Sequence, residues 1–331
     1  MLVLKIVVDA MGGDHAPAAI VAGVVEAVKE FDVTIALIGI QEQVERELAK
    51  YQYPKERIEL LHAPEVVEMY EPATTSIRRK RNSSISLGIN LLKERSFDAF
   101  ISAGNTGAVV AAATVNLGMI PSVERPGIGL VIPTLRNFAF IIDVGANTDP
   151  KPQHLLKYSV MATVYAREVL DVENPSVGLL NIGEEELKGT DFVKEAHKFI
   201  SERLPNFQGN IEGNEIFSGK CDCIVCDGFV GNIVLKVSEG LSESAGTLIK
   251  REVRKSPMAT LGALLMQPQL KEVKRLVDYS EYGGAPLLGV NGIVMISHGR
   301  SSPKAIKNAI RAAMREVDHN ILAKLTKELN T

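Results

Sequence analysis

The chain has 331 residues, 46% of them hydrophobic and 23% charged, a balance ordinary for a globular protein with a large core. Its net charge of -3 argues against a general nucleic-acid binder, which needs a basic surface. No apolar run approaches the ~20 residues of a spanning helix, and no secretory signal opens the sequence, so a cytoplasmic protein is expected.

An apolar run over 2–8 predicts a first strand, and an Ala/Val-rich pattern over 18–28 a first helix. Between them stand Asp9, Gly12, Gly13, Asp14, His15 and Pro17. A Gly-Gly turn flanked by carboxylates and a histidine makes a polar floor at a strand's carboxyl end, where open α/β sheets bind ligands. An ordinary turn, with glycines that only supply positive φ, accounts for it equally well. Further strands are expected over 34–38, 58–62, 99–102, 128–132, 139–144, 176–180, 223–226 and 293–296. Helices are expected over 41–50, 85–93, 154–169, 191–199 and 303–320. This alternation predicts a layered α/β fold with a largely parallel sheet. No linker or repeat divides residues 1–331, so one unit with two interwoven lobes around a cleft is expected.

Arg78, Arg79, Lys80 and Arg81 form a basic run before a helix. Such a run is usually a solvated face, and otherwise a docking patch for an acidic partner. The loop Ser102-Ala-Gly-Asn-Thr-Gly-Ala108 ends a strand and opens a helix. Its amides, with Ser102, Asn105 and Thr106, suit an anion. Asp143 and Asn147 lie in an Asp/Asn/Gly-rich strand end, fit for metal, for orienting a Lys or for plain turns. Gly183 to Gly189, which includes Lys188, is a further glycine-bounded loop. Cys221, Cys223 and Cys226 lack a fourth ligand nearby, so buried thiols rather than a metal site are expected. Asp227 stands above Gly228 and Gly231, with Asn232 following.

Residues 235–277 read as a helical excursion interrupted at Pro257 and Pro268. Its uncharged tip holds Met258, Leu261, Leu264 and Leu265. Lys250, Arg251, Arg254, Lys255, Lys271, Lys274 and Arg275 surround it, against only Glu252 and Glu272. An apolar tip with a basic collar suits an anionic membrane surface, and a hairpin buried in a dimer interface is the equal alternative. Finally, His298, Arg300 and Ser301 precede a Pro-started helix, an arrangement that recognises phosphate. No HExxH, GxSxG or dinucleotide GxGxxG occurs, so a dedicated covalent nucleophile is not expected. Clustered glycine loops at strand ends predict one cleft for a small anion.

DAMGGDHAP, SAGNTGA, DVGANTDPKP, NIGEEELKG, CDGFVGN and ISHGRSSPKAIKNAI, in this order, closely resemble the bacterial phosphate acyltransferases of phospholipid synthesis, the PlsX family. The resemblance runs from about Lys5 to Leu322. It implies an α/β/α sandwich with a large mixed, mostly parallel sheet like that of isocitrate/isopropylmalate dehydrogenases, usually in a homodimer. It implies transfer of an acyl group from acyl-[acyl carrier protein] to inorganic phosphate, without a cofactor or metal. The acyl phosphate would pass to a membrane acyl-phosphate:glycerol-3-phosphate acyltransferase.

In that light Ser102, Gly104, Asn105, Thr106 and Gly107 are the expected phosphate site, with Arg300 and Ser301 across the cleft. His15 or His298 would protonate the departing thiolate, and Asp143 and Asp227 would orient these donors. Residues 78–81 would dock the acidic carrier, and the hairpin tip would touch the inner face of the membrane. A phosphotransacetylase acting on acyl-CoA is the nearest alternative. A metal-dependent dehydrogenase of the same fold and a non-catalytic membrane scaffold are more distant ones.

Overall fold

The computed structural model describes residues 3–277 and 283–330, with the side chains of 273–277 outside that description. Leu2 of the expected first strand, and the Lys274 and Arg275 side chains of the expected collar, therefore lie outside the described residues. The strands are β1 (Leu4–Asp9), β2 (Val33–Gly39), β3 (Ile58–His62), β4 (Ala99–Ser102), β5 (Gly127–Pro133), β6 (Phe138–Ile142), β7 (Val177–Asn181), β8 (Phe207–Glu212), β9 (Cys223–Val225), β10 (Ala285–Leu288) and β11 (Ile293–Ile296). The helices are α1 (Ala18–Glu30), α2 (Gln41–Leu48), α3 (Ala73–Arg79), α4 (Ser84–Lys93), α5 (Thr106–Ala112), α6 (Pro152–Glu168), α7 (Asp191–Arg203), α8 (Gly228–Val253), α9 (Pro257–Leu265), α10 (Gln267–Val277), α11 (Pro303–Asp318) and α12 (Ile321–Leu329).

All strands join one sheet in the order β3-β2-β1-β4-β11-β10-β5-β6-β9-β7-β8. Its central strands read as continuous apolar runs because both faces are covered. In β1, Ile6 and Val8 enter one core and Val7 the other. The first core is closed by α1, α2, α6, α7, α11 and α12, through residues such as Val24, Val44, Leu155, Ala196, Ile306 and Ile321. The second is closed by α3, α4, α5 and the start of α8, through Ile77, Ile85, Val109 and the partly buried Val234 and Leu235. The result is the three-layer α/β/α arrangement with a mixed, mostly parallel sheet.

Strand direction changes in the middle of the sheet. β1, β2, β3, β4 and β11 are mutually parallel, as are β6, β9, β7 and β8. The joint is β10, antiparallel to both neighbours: Ala285 and Pro286 pair with β11, Leu287 and Leu288 with β5. β5 in turn runs antiparallel to β6.

Two strands and two helices were not among the expected elements. β8 contains Gly209 at φ 89 and meets β7 across a register irregularity, which breaks its alternation. β10 contains Pro286, a residue that argues against a strand inside a sheet. α3 and α12 are single short helices of 7 and 9 residues, too brief to show a clear period. The cysteines are buried as expected, with Cys223 in one core and Cys221 and Cys226 in the other. Burial raises all three thiols, Cys221 to about 11. Cys223 thus lies on the opposite face of the sheet from Cys221 and Cys226.

Candidate active site

β1, β4 and β11 are neighbours running the same way, so their carboxyl ends bring three loops together. Asp9 ends β1 and Ser102 ends β4. The buried Ser102 hydroxyl donates to Asp9 Oδ2 at 2.7 Å and accepts the Gly104 N–H at 3.0 Å. Asp9 Oδ1 accepts the Met11 N–H at 3.0 Å. Burial raises the Asp9 pKa, while the hydroxyls of Ser84 and Ser102 and the amides of Met11 and Gly12 pull it down. Gly12 leaves no room for a side chain: a Cβ there would lie 2.5 Å from the Gly104 nitrogen and 2.8 Å from Asp9 Oδ2. The first and second glycine loops therefore lie backbone against backbone.

The third loop closes on the first. The Asp14 N–H donates to the Gly299 carbonyl at 2.7 Å, and Arg300 Nε stands 3.9 Å from Asp14 Oδ2. Arg300, Asp14 and His15 are exposed, whereas Ser297 and Ser301 are buried. Asn105 Oδ1 caps α5 by accepting the Ala108 N–H at 3.0 Å. Its Nδ2 donates to the carbonyls of Glu68, Met69 and Glu71 at 3.2, 3.1 and 3.0 Å. The Asn105 side chain is thus engaged within the protein. Thr106 and Gly107 are exposed and present the first-turn amides that a helix leaves without internal partners.

His298 joins this cluster to α8. Its Nδ1 accepts the Arg300 N–H at 3.1 Å, and Nε2 faces Lys236 Nζ at 3.3 Å and Glu239 Oε1 at 3.9 Å. Its pKa lies below 6.5, first through burial and then through Lys236 and Arg300, against the pull of Glu239 and Asp14. Lys236 also pairs with Glu239 Oε2 at 2.9 Å. Neither residue was singled out from the sequence. The i, i+3 Lys/Glu spacing on a helix was the available signal.

Asp143, Asn147, Asp227 and Asn232 belong to a second group, at the carboxyl ends of β6 and β9, which run opposite to β1. The buried Asp143 carboxylate accepts four amides: Ile128, Gly145 and Ala146 on Oδ1 at 3.0, 3.0 and 2.8 Å, and Asn147 on Oδ2 at 2.7 Å. Burial outweighs these bonds and raises its pKa to about 6. Asp227 caps α8, its Oδ1 accepting the Phe229 and Val230 N–H groups at 3.0 and 2.9 Å. Gly231 lets α8 lie against this loop, since a Cβ there would stand 1.9 Å from the Asp143 carbonyl oxygen. α8 links the two loop groups: exposed Asn232, beside the Gly145 loop, precedes Lys236, beside His298, by about one turn.

Lys188 is exposed in the loop after β7. Arg78, Arg79 and Arg81 are exposed around the end of α3, but Lys80 turns inward, pairing with Glu71 and donating to the Val66 carbonyl at 2.7 Å. Met258, Leu261, Leu264 and Leu265 are all exposed on α9. Among the described residues no helix is long and apolar enough to cross a membrane.

A sheet of this order, with glycine loops, hydroxyls and a guanidinium at neighbouring strand ends, defines an α/β protein with a site suited to an anion. Solved structures share the fold: a phosphotransacetylase from Streptococcus pyogenes superposes with a TM-score of 0.65 at 16% identity, covering 95% of this chain and 94% of that one. A 4-hydroxythreonine-4-phosphate dehydrogenase from Klebsiella pneumoniae gives 0.53 at 13% identity, covering 95% and 98%. The family described as fatty acid synthesis protein matches residues 4–324. Phosphate acyltransferases from Alkaliphilus oremlandii and Halothermothrix orenii are 48% and 47% identical, over 99% of this chain and 98% and 99% of theirs. The chain belongs to this family, the PlsX-type phosphate acyltransferases, and is an acyl-transferring enzyme of fatty acid and phospholipid synthesis.

Proposed function

We propose that the chain converts long-chain acyl-[acyl carrier protein] and inorganic phosphate into acyl phosphate and free carrier protein. The observation that carries this reading is the convergence of Ser102, the α5 amides and the 297–301 loop on one edge of the sheet. Phosphate is the nucleophile. Its oxygen bonds to the thioester carbonyl carbon, the C–S bond breaks, and the thiolate leaves and takes up a proton. Holding phosphate in line with the carbonyl contributes roughly 7–11 kcal/mol in favourable cases. Each preorganised donor to the tetrahedral oxyanion adds about 3 kcal/mol.

In this reading Thr106, Gly107, Arg300 and Ser301 hold phosphate, while Ser102 and Gly104, whose O–H and N–H are already donated within the protein, position the cradle and Asn105 fixes the start of α5. Asp9, Gly12, Gly13 and Asp14 shape the floor. His15 or His298 supplies the proton. Asp143, Asn147, Asp227 and Asn232 fix the base of α8, and exposed Lys188 has no placed role. Arg78, Arg79 and Arg81 attract the acidic carrier, and Lys80 acts from within. A homodimer is supported by the exposed apolar stripe Val230, Ile233, Val237, Leu241 and Leu248 on α8. Peripheral docking of the α9 tip on an anionic membrane would deliver acyl phosphate to a membrane glycerol-3-phosphate acyltransferase.

The test measures free carrier protein and acyl phosphate from a long-chain acyl-carrier substrate, with and without phosphate. Phosphate-dependent release with stoichiometric acyl phosphate is expected. Turnover of acyl-CoA alone would favour a phosphotransacetylase activity instead, and vesicle binding without turnover would favour a scaffold.

A further inference from the structure

The short loop over residues 66–71 is tied down more heavily than its surface position requires. From the side of the phosphate cradle, Asn105 Nδ2 donates to its carbonyls at Glu68, Met69 and Glu71. From the other side, Lys80 donates to the Val66 carbonyl and pairs with the Glu71 carboxylate. Ser76 Oγ donates to Glu71 Oε2 at 2.8 Å, and the Glu71 N–H closes the loop on the Glu68 carbonyl at 3.2 Å. Fixing a loop this way costs conformational entropy, so its place matters.

What the loop holds out is apolar. Tyr70 is 85% exposed and Met69 46% exposed. Met69 reaches the cradle itself: a Cβ on Gly299, the residue before Arg300, would lie 3.1 Å from the Met69 Cε. An exposed aromatic and a thioether on a rigid loop beside an anion cradle form a surface for an apolar ligand group. The basic end of α3 begins only a few residues further on, so a carrier docked there would feed its thioester past this rim.

We propose that residues 66–71 form a fastened rim on which Met69 and Tyr70 contact the acyl chain next to the reacting carbonyl, with Asn105 and Lys80 as positioning residues. This rests on the acyl-carrier reading above. Met69 and Tyr70 then determine chain preference, and Lys80 acts through the loop rather than by touching the carrier.

The experiment compares butyryl and palmitoyl thioesters of one carrier protein at saturating phosphate, in the full-length protein. The variants are Met69→Ala, Tyr70→Ala, Lys80→Ala and Lys80→Arg. The wild type is expected to favour the long chain in kcat/KM. Tyr70→Ala and Met69→Ala should each cut that preference roughly tenfold, the scale on which an apolar site discriminates chain size. In Tyr70→Ala the KM for phosphate should stay within about twofold, because that variant removes no residue that holds phosphate. Lys80→Ala should lose the same preference and Lys80→Arg retain it. A wild type without chain preference, or an equal fall for both donors in the Tyr70 and Met69 variants, overturns the proposal. If Lys80→Ala lowers both donors equally, its positioning role is overturned and the residue belongs to the carrier contact. Failure of the wild type to form acyl phosphate from either donor overturns the underlying reading instead. Tyr70 is almost wholly exposed, so its variant tests the contact without unfolding the chain.

Discussion

The Ser102 hydroxyl stands between Asp9 and Gly104, donating to the carboxylate at 2.7 Å and accepting the Gly104 N–H at 3.0 Å. One oxygen thereby sets the relative position of the first two glycine loops. Asp9→Asn removes the charge that orients this hydroxyl while nearly preserving shape. A fall of about 10²-fold in kcat is expected, as a displacement of about 1 Å can produce. Thermal unfolding should shift little by comparison, and a variant with wild-type kcat would remove Asp9 from the site.

His298 gives a prediction with a definite sign. Its pKa lies below 6.5, so the imidazolium is populated only in mild acid. If His298 protonates the leaving thiolate, kcat/KM should fall as pH rises through a value below 6.5. His298→Gln should erase that limb. A limb that persists in the variant would leave His15 as the candidate acid.

Glu316 is fully buried in α11, and burial raises its pKa from 4.5 to about 8 although the Tyr165 hydroxyl donates to it at 3.0 Å. The folded chain thus holds this proton more tightly than the unfolded chain does. The associated stability is complete below pH 4.5 and is lost progressively as pH rises to about 8. Glu316→Gln keeps a neutral side chain of the same shape. Its melting temperature should therefore decline less than that of the wild type across that interval, as followed by circular dichroism. Parallel curves would show that Glu316 does not carry the dependence.

Gly231 tests the attachment of α8. A methyl group there would meet the Asp143 carbonyl oxygen at 1.9 Å, so the helix or the loop must move. Gly231→Ala should cost about 1–3 kcal/mol, the range for overpacking, despite alanine's better helix propensity. Urea unfolding measures it, and a stabilised variant would contradict the close contact.

The elements that position the candidate site follow from local patterns. β1, β4 and β11 are short apolar runs ending in glycine loops, and Ser302 with Pro303 marks the start of α11. What local pattern cannot carry is strand direction. The relative direction of the strands that carry the Asp143 and Ser102 loops rests on three antiparallel pairings, β11–β10, β10–β5 and β5–β6, two of them made by β10, a four-residue strand containing a proline. Asn105 and Lys80 show the same limit at single residues. Each is a polar side chain in a polar loop, readable as a ligand contact until the backbone carbonyls of a distant segment come within reach.

The close packing of Gly231 on Asp143 has a mechanical meaning. α8 has 26 residues, a rod of about 39 Å, and only Gly228 and Gly231 are fully buried along it. It is a lever seated at its root, with Leu261 and its neighbours beyond its far end. Lys236 and Glu239, the residues facing His298, sit a short way out from that root. Any displacement of α8 about its root would move Lys236 and Glu239 against His298.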